Sequence, residues 1–257
     1  MTTALTNYKI LTRDLTRTMD RLSADPQTQR EVNYYRAQIG KIKSIEEFLG
    51  NDRVFNFAMK AFGLGDMSYA KGMMRKALSD GIDDQTAFSV RMADPRFREF
   101  VTTFNFKRYS SATTSFDRTQ QGTIDRFLQA QLEAKAGETS EAVRLALYFD
   151  RKAPELLSNY SILADKALLT VVRTALGLPA SLSSTDLEKQ AKIIGEKINV
   201  DDLKDATKRQ EFISRFLVLY DVSNNSGATD ASVTLLSGTS GLIGQETLLS
   251  IQSLRRG

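Results

Sequence analysis

One amphipathic pattern occurs twice in this chain, and it constrains the fold more than any other feature. The first copy is Leu49 to Gly65, LGNDRVFNFAMKAFGLG; the second is Leu163 to Pro179, LADKALLTVVRTALGLP. In the first, apolar residues fall at Val54, Phe57/Ala58 and Ala61/Phe62; in the second, at Leu168, Val171/Val172 and Ala175/Leu176. This is the spacing of one face of an α-helix. Asn51 or Asp52 can cap the first helix and Asp165 the second, since a side-chain oxygen there accepts otherwise unpaired backbone N–H groups. Gly63 and Gly177 follow the last apolar turn, where glycine takes a left-handed conformation at little cost. Both helices are therefore expected to stop at the same place.

The correspondence extends upstream at a constant offset of 114, pairing Tyr34 with Tyr148, Tyr35 with Phe149 and Ser44 with Ser158. Downstream, at an offset of 112, Glu99, Phe100 and Phe104 meet Glu211, Phe212 and Phe216. Identity is low, but order, spacing and glycine stops recur together. The expectation is an all-α, multi-helix bundle built from a duplicated helical unit. The units span 8–106 and 123–220, a connector spans 107–122, and a flexible tail with a terminal helix spans 221–257. No segment alternates as a half-buried strand does.

The individual elements follow from local chemistry. Residues 1–7 read as frayed, and a helix from Tyr8 to Ser23 carries a narrow stripe at Ile10/Leu11, Leu15, Met19 and Leu22. Asp25-Pro26 and Asp94-Pro95 are helix starts, with Asp as cap and Pro at the first helical position. Ser44 to Glu47 reads as a capping box. Asp83/Asp84 start a helix through Val90, and Phe97, Phe100, Val101 and Phe104 form a core stripe. The Ser/Thr/Gln-rich run 107–122 reads as the connector. A helix from Thr123 to Ala136 should break at Gly137, and helices are expected over Thr139–Lys152, Asp186–Ile198 and Thr207–Tyr220. From Asp221 the chain is rich in Gly, Ser, Thr and Asn, and Gln245 to Leu254 carries Leu248, Leu249, Ile251 and Leu254. That last stretch either folds back on its own domain or docks on a partner.

The chain contains no cysteine and no histidine. Disulfides, thiolate catalysis and Cys/His metal sites are thereby excluded, and acid–base work near neutral pH would fall to shifted carboxylates or lysines. Neither G-x-x-x-x-G-K-[ST] nor G-x-G-x-x-G is present. Gly63-Leu64-Gly65 reads as a helix stop, and Gly238 to Gly244 follows no strand. Asp83-Asp84, Asp201-Asp202 and Glu46-Glu47 sit at helix starts, where capping accounts for them. No catalytic, cofactor-binding or metal-binding residue is identified, and no cofactor is implied. The net charge is +4, with 18 Lys/Arg against 13 Asp/Glu in residues 1–110 and 17 against 18 beyond. Spaced singly along helices, these cations read as a solvated face rather than a nucleic-acid surface. No run is apolar enough to cross a bilayer and no cleavable leader is seen, so membrane insertion is not expected.

The second copy also carries a resemblance. Tyr148-Phe149, the break at Ala153-Pro154, Leu163 to Ala167, Ala175 to Pro179 and Phe212 to Phe216 resemble the repeated unit of the bacterial family catalogued as domain of unknown function 1217. Two units would cover roughly Tyr8 to Val222. The first departs from the pattern, with Gly40 in place of Pro154 and Gly65 in place of Pro179. Members of that family are mainly alphaproteobacterial and tend to be encoded among flagellar genes. The resemblance implies a non-enzymatic structural or assembly role at the flagellum, with flagellar proteins or a second copy of the chain as partners and residence in the cytoplasm or the flagellum. The alternatives are a cytoplasmic export chaperone or regulator that binds a flagellar subunit and, less favoured, a basic nucleic-acid-binding helical protein.

Overall fold

The computed structural model describes residues 3–92 and 94–224, so the expected terminal helix lies outside the described residues. All regular structure among the described residues is helical. Two short helices open the chain, α1 (Ala4–Arg13) and α2 (Leu15–Ser23). The first half then runs through α3 (Pro26–Ile39), α4 (Ile45–Gly50), α5 (Asp52–Ala61), α6 (Lys71–Asp80), α7 (Phe88–Arg91), α8 (Pro95–Thr103) and α9 (Phe106–Tyr109). A long helix, α10 (Gln121–Thr139), leads to α11 (Glu141–Lys152), α12 (Asn159–Leu163), α13 (Lys166–Ala175), α14 (Leu187–Lys197) and α15 (Ala206–Asn224). None of the described helices is long and apolar enough to cross a membrane.

The two helices of the repeated pattern, α5 and α13, share capping and stop bonds at equivalent positions. Asn51 accepts from the N–H of Val54 at 3.1 Å, and Asp165 from that of Leu168 at 3.1 Å. Tyr34 donates its hydroxyl to Asn51 at 3.4 Å, and Tyr148 to Asp165 at 2.5 Å. At the other end, the N–H of Leu64 bonds to Met59 O at 2.8 Å and that of Leu178 to Arg173 O at 2.9 Å. Gly63 and Gly177 stand between with φ of 69° and 64°. Every partner in these pairs is displaced by 114 residues. A residue with a Cβ would be strained at either glycine, and this conformation turns the chain so that the last carbonyls are met.

After α13 the halves diverge. α8 ends at Thr103, whereas α15 runs on to Asn224. Glu99 is half-buried and Glu211 exposed, although the two correspond in sequence. Side chains sort into two cores. One holds Val32 to Phe106 together with Ile124 and Phe127; the other holds Leu132 and Ala136 through Leu217 together with Ala4, Tyr8 and Leu22. α10 therefore serves both cores. In the first, Tyr35, Phe57 and Phe127 form a stack, with ring centroids 4.3 and 4.0 Å apart. Phe48 sits among Phe55, Phe104 and Phe106 at 4.8–5.8 Å. Each such ring contributes roughly 1.5–3 kcal/mol through burial.

Several boundaries differ from expectation. The N-terminus is helical from Ala4, capped by Thr3, and Asp14 divides the expected single helix by capping α2. Of the expected stripe, Leu22 is buried and Leu11 and Met19 pack against the second core, while Ile10 and Leu15 are exposed; Tyr8 is a further buried anchor. Tyr8 lies on the second core. Its hydroxyl donates to Asp150 at 3.0 Å and accepts from Gln210 at 3.0 Å, and Arg209 holds the other Asp150 oxygen at 2.7 Å.

The run 107–122 is a folded part of the first half. Thr113, Thr114 and Thr119 are buried, Thr114 donates to Ile42 O at 2.7 Å, and Tyr35 donates to Thr119 O at 2.6 Å. Polar side chains can be buried there because backbone carbonyls satisfy them. Gly137 does not break α10. A Cβ there would come within 2.8 Å of the Arg144 side chain, so glycine allows close approach of α11. Asp83 and Asp84 sit in a turn, and the helix expected at that point is only Phe88–Arg91. Helix continues through Asn224, past Asp221 where the tail was expected to start; the rest of the expected tail lies outside the described residues.

Candidate functional site

A groove runs across the face where α8, α10, α11 and α13 meet. Its first stretch, about 410 Å³, lies between Phe62–Asp66 and the α10–α11 pair. A second, about 610 Å³, passes between α8 and the α12 region. A third, also about 610 Å³, reaches the end of α15 at Tyr220. Arg96 and Tyr148 line all three.

Helix geometry places the charged groups. Pro95 starts α8, so Arg96 projects from its first turn and Glu99 from one turn on. On α11, Arg144, Tyr148, Arg151 and Lys152 follow at three- and four-residue steps and share a face. Five of the groove's cations, Arg96, Arg126, Arg144, Arg151 and Lys152, meet carboxylates. Arg96 bonds Asp94 through Nε at 3.0 Å and Nη2 at 2.6 Å, and also donates to Gly63 O. Arg144 grips Glu141 at 2.5 and 2.7 Å. Arg151 forks onto Glu133 at 2.7 and 3.0 Å, and Glu133 is buried. Glu99 takes two cations, Lys152 at 2.6 Å and Arg126 on its other oxygen. Arg126 also lies over the Phe62 ring at 5.0 Å and Arg151 over Tyr148 at 5.0 Å. Paired forks of this kind are stronger and more directional than neutral hydrogen bonds.

The electrostatics follow from the pairing. Burial pushes the Glu99 carboxyl up, but Lys152 and Arg126 outweigh it and hold the group below the ordinary carboxylate range. Burial likewise raises Asp94, and Arg96 reverses the sign. Tyr148 is driven upward by burial and by the neighbouring Asp165 charge, so its phenol stays protonated and works as a donor. The groove thus presents fixed ion pairs around the neutral Tyr148 phenol. Chemically, it is a clamp between helices from both cores.

The acidic pairs singled out in the sequence lie elsewhere and are satisfied locally. Asp83 pairs with Arg108, and Asp84 accepts from the N–H of Thr86. Asp201 pairs with Lys204 and Asp202 with Lys208. Ser44 caps Glu47, which reaches back to the N–H of Lys43 at 2.7 Å, and Glu46 meets Arg75. Gly63 and Gly65 border the groove as a helix stop, and Gly238 to Gly244 lie outside the described residues. Among the described residues, no three His, Cys, Asp or Glu come together as a metal-binding set. Reading the sequence alone did not single out the Arg96–Glu99–Arg126–Lys152 network. Its visible traces were the Tyr34/Tyr148 and Glu99/Glu211 correspondences.

The model of a family described as Protein of unknown function (DUF1217) matches residues 61–208. The chain is also similar to a protein of Agrobacterium tumefaciens known from its X-ray crystal structure. Identity is 38%, with 85% of this chain and 93% of that one covered, and the TM-score is 0.80. A search of curated proteins finds no match.

Proposed function

The chain belongs to the DUF1217 family, and from that premise we propose that it is a non-enzymatic structural or assembly protein of the bacterial flagellum, acting through contacts with other proteins. The pairing within the groove is the observation that carries the non-enzymatic half. Arg96, Arg126, Arg144, Arg151 and Lys152 are each engaged by a carboxylate of their own chain. Activated catalytic groups are instead poised near working pH and left with unmet hydrogen-bonding capacity. Here the carboxylates at Glu99 and Asp94 are held low and Tyr148 is held high; Glu99 and Tyr148 join helices, and Asp94 caps α8 and holds Arg96. The flagellar half is supported by the family resemblance alone.

Deletion of the gene tests the reading directly. The expected result is reduced swimming on soft agar and shortened or missing filaments by electron microscopy; normal swimming with normal filaments rejects it. Fractionation then assigns the role. Recovery with purified flagella supports a structural part, and retention in the cytosol with a bound flagellar subunit supports an export chaperone.

A further inference from the structure

The surplus charge of the chain is concentrated in one place. Residues 1–43 hold 8 Lys/Arg against 4 Asp/Glu, and residues 44–257 hold 27 of each, so the whole net charge of +4 rests on α1, α2, α3 and the turn that follows. All eight of these cations are exposed. Elsewhere carboxylates take up Lys71, Arg75, Arg108 and the groove cations, but among the described residues none of the eight makes an ion pair. The segment's own acids are largely occupied: Asp14 caps α2, Asp25 caps α3 and Glu31 pairs with Arg53. The three helices lie side by side, α1 against α11 and α15, α2 against α10 and α3. Ala4, Tyr8 and Leu22 are buried, and Leu11 and Met19 pack against the second core, which fixes the inner side of α1 and α2. Lys9, Ile10 and Arg13, three and four residues apart, share the outer side of α1, and Arg17 and Arg21 that of α2. Ile10 is 64% exposed, and Leu15, at the start of α2, is 40% exposed.

We propose that this outer face of α1 and α2 attaches the protein reversibly to an anionic lipid surface, without crossing it. Charge complementarity requires an anionic occupant, and the two apolar tips select its kind. Cations interspersed with exposed apolar side chains suit a headgroup layer: lipid phosphates meet Lys9, Arg13, Arg17 and Arg21, while Ile10 and Leu15 enter the acyl boundary. A nucleic-acid backbone offers Ile10 and Leu15 no apolar contact. A helical peptide seeks an apolar groove, and the groove of this protein has no residue of α1 or α2 on its walls. Attachment of this kind is weak per group, about fivefold in affinity for each cation at the surface, and is built up by their number. It leaves both cores and the groove untouched. The inference is independent of the flagellar reading, because the purified protein alone displays it.

Sedimentation of the full-length chain with vesicles tests this. The protein is expected to pellet at low salt with vesicles of phosphatidylglycerol mixed with phosphatidylcholine, to stay in solution with phosphatidylcholine alone, and to be released from the mixed vesicles by high salt. Arg13→Gln combined with Arg17→Gln is expected to weaken binding about 25-fold. The control, Lys189→Gln with Lys192→Gln, removes the same charge from exposed positions on α14 and is expected to weaken it less than about twofold. All four side chains are exposed, so the fold is preserved in both variants. Equal losses overturn the proposal, since net charge alone then accounts for binding, and so does failure of the unsubstituted chain to pellet with the mixed vesicles. The absence of native cysteine allows a second measurement. An environment-sensitive fluorophore on Ile10→Cys is expected to shift its emission to shorter wavelength on the mixed vesicles; unchanged emission refutes entry of this side chain and with it the proposal. Binding to duplex DNA or to polyglutamate with none to the mixed vesicles also overturns it, and reassigns the face to a nucleic acid or an acidic protein.

Discussion

Tyr34 and Tyr148 occupy equivalent positions and hold equivalent caps, yet they are not worth the same. Tyr148 donates to a carboxylate at 2.5 Å, while Tyr34 reaches an amide oxygen at 3.4 Å, near the limit of a hydrogen bond. A bond to a charged acceptor contributes roughly 1.5–3 kcal/mol, and a long neutral one well under 1 kcal/mol. Tyr148→Phe is therefore expected to lower stability by about 2 kcal/mol and Tyr34→Phe by about 0.5 kcal/mol, read as shifts in urea midpoint at constant slope. Equal shifts would show that the Tyr148–Asp165 bond contributes nothing of its own. Residues of this kind were partly legible in the sequence. The caps, the Pro starts and the positive φ at Gly63 and Gly177 follow from local chemistry within four or five residues. Tyr8 was missed because its partners, Asp150 and Gln210, are far away along the chain and give no local signal.

Helices joined by ion pairs respond to acid. Glu99 links α8 to α10 through Arg126 and to α11 through Lys152. Its carboxyl titrates lower in the native chain than in the unfolded one, where it is near 4.3, so the native state binds that proton less readily. The stabilisation is complete above about pH 5 and is lost as pH falls through the native value. Glu99→Gln is expected to cost about 1–3 kcal/mol at pH 7, because two half-buried cations lose their charged partner. The gap between the two proteins should close on acidification, as denaturant titrations at pH 7 and pH 3 would record. A gap that stays constant with pH would mean that Glu99 acts by packing rather than by charge. At this scale the sequence was legible for α3, α5, α8, α13 and α14, whose apolar spacing is regular. It misled at 107–122, where buried threonines look like a linker because their partners are backbone carbonyls such as that of Ile42. At Gly137 a packing requirement from α11 overrode the usual meaning of glycine in a helix.

Taken whole, the molecule has two cores but no separable halves. α10 places Ile124 and Phe127 in one and Leu132 and Ala136 in the other. A break in the middle of that helix should uncouple them. Ala130→Pro removes one helix bond and adds a clash, about 3 kcal/mol or more, between the two sets of anchors. Scanning calorimetry is expected to show one transition for the unsubstituted chain and two for the variant; a single transition in both would show that the cores are coupled by another route. The sequence indicated a repeated pattern but not how its copies are joined. Nothing local states that α1 packs beside α11 and α15, or that α15 replaces the α8–α9 break with one unbroken helix.

The position of α1 has a consequence for the order in which the chain is made. Its surroundings include Asp150, Gln210 and Asp221, the last of them 217 residues downstream. A ribosome releases this helix long before the surface that receives it. Until that surface emerges, the helix travels without a berth, and whatever meets the nascent chain in that interval finds Tyr8 unclaimed.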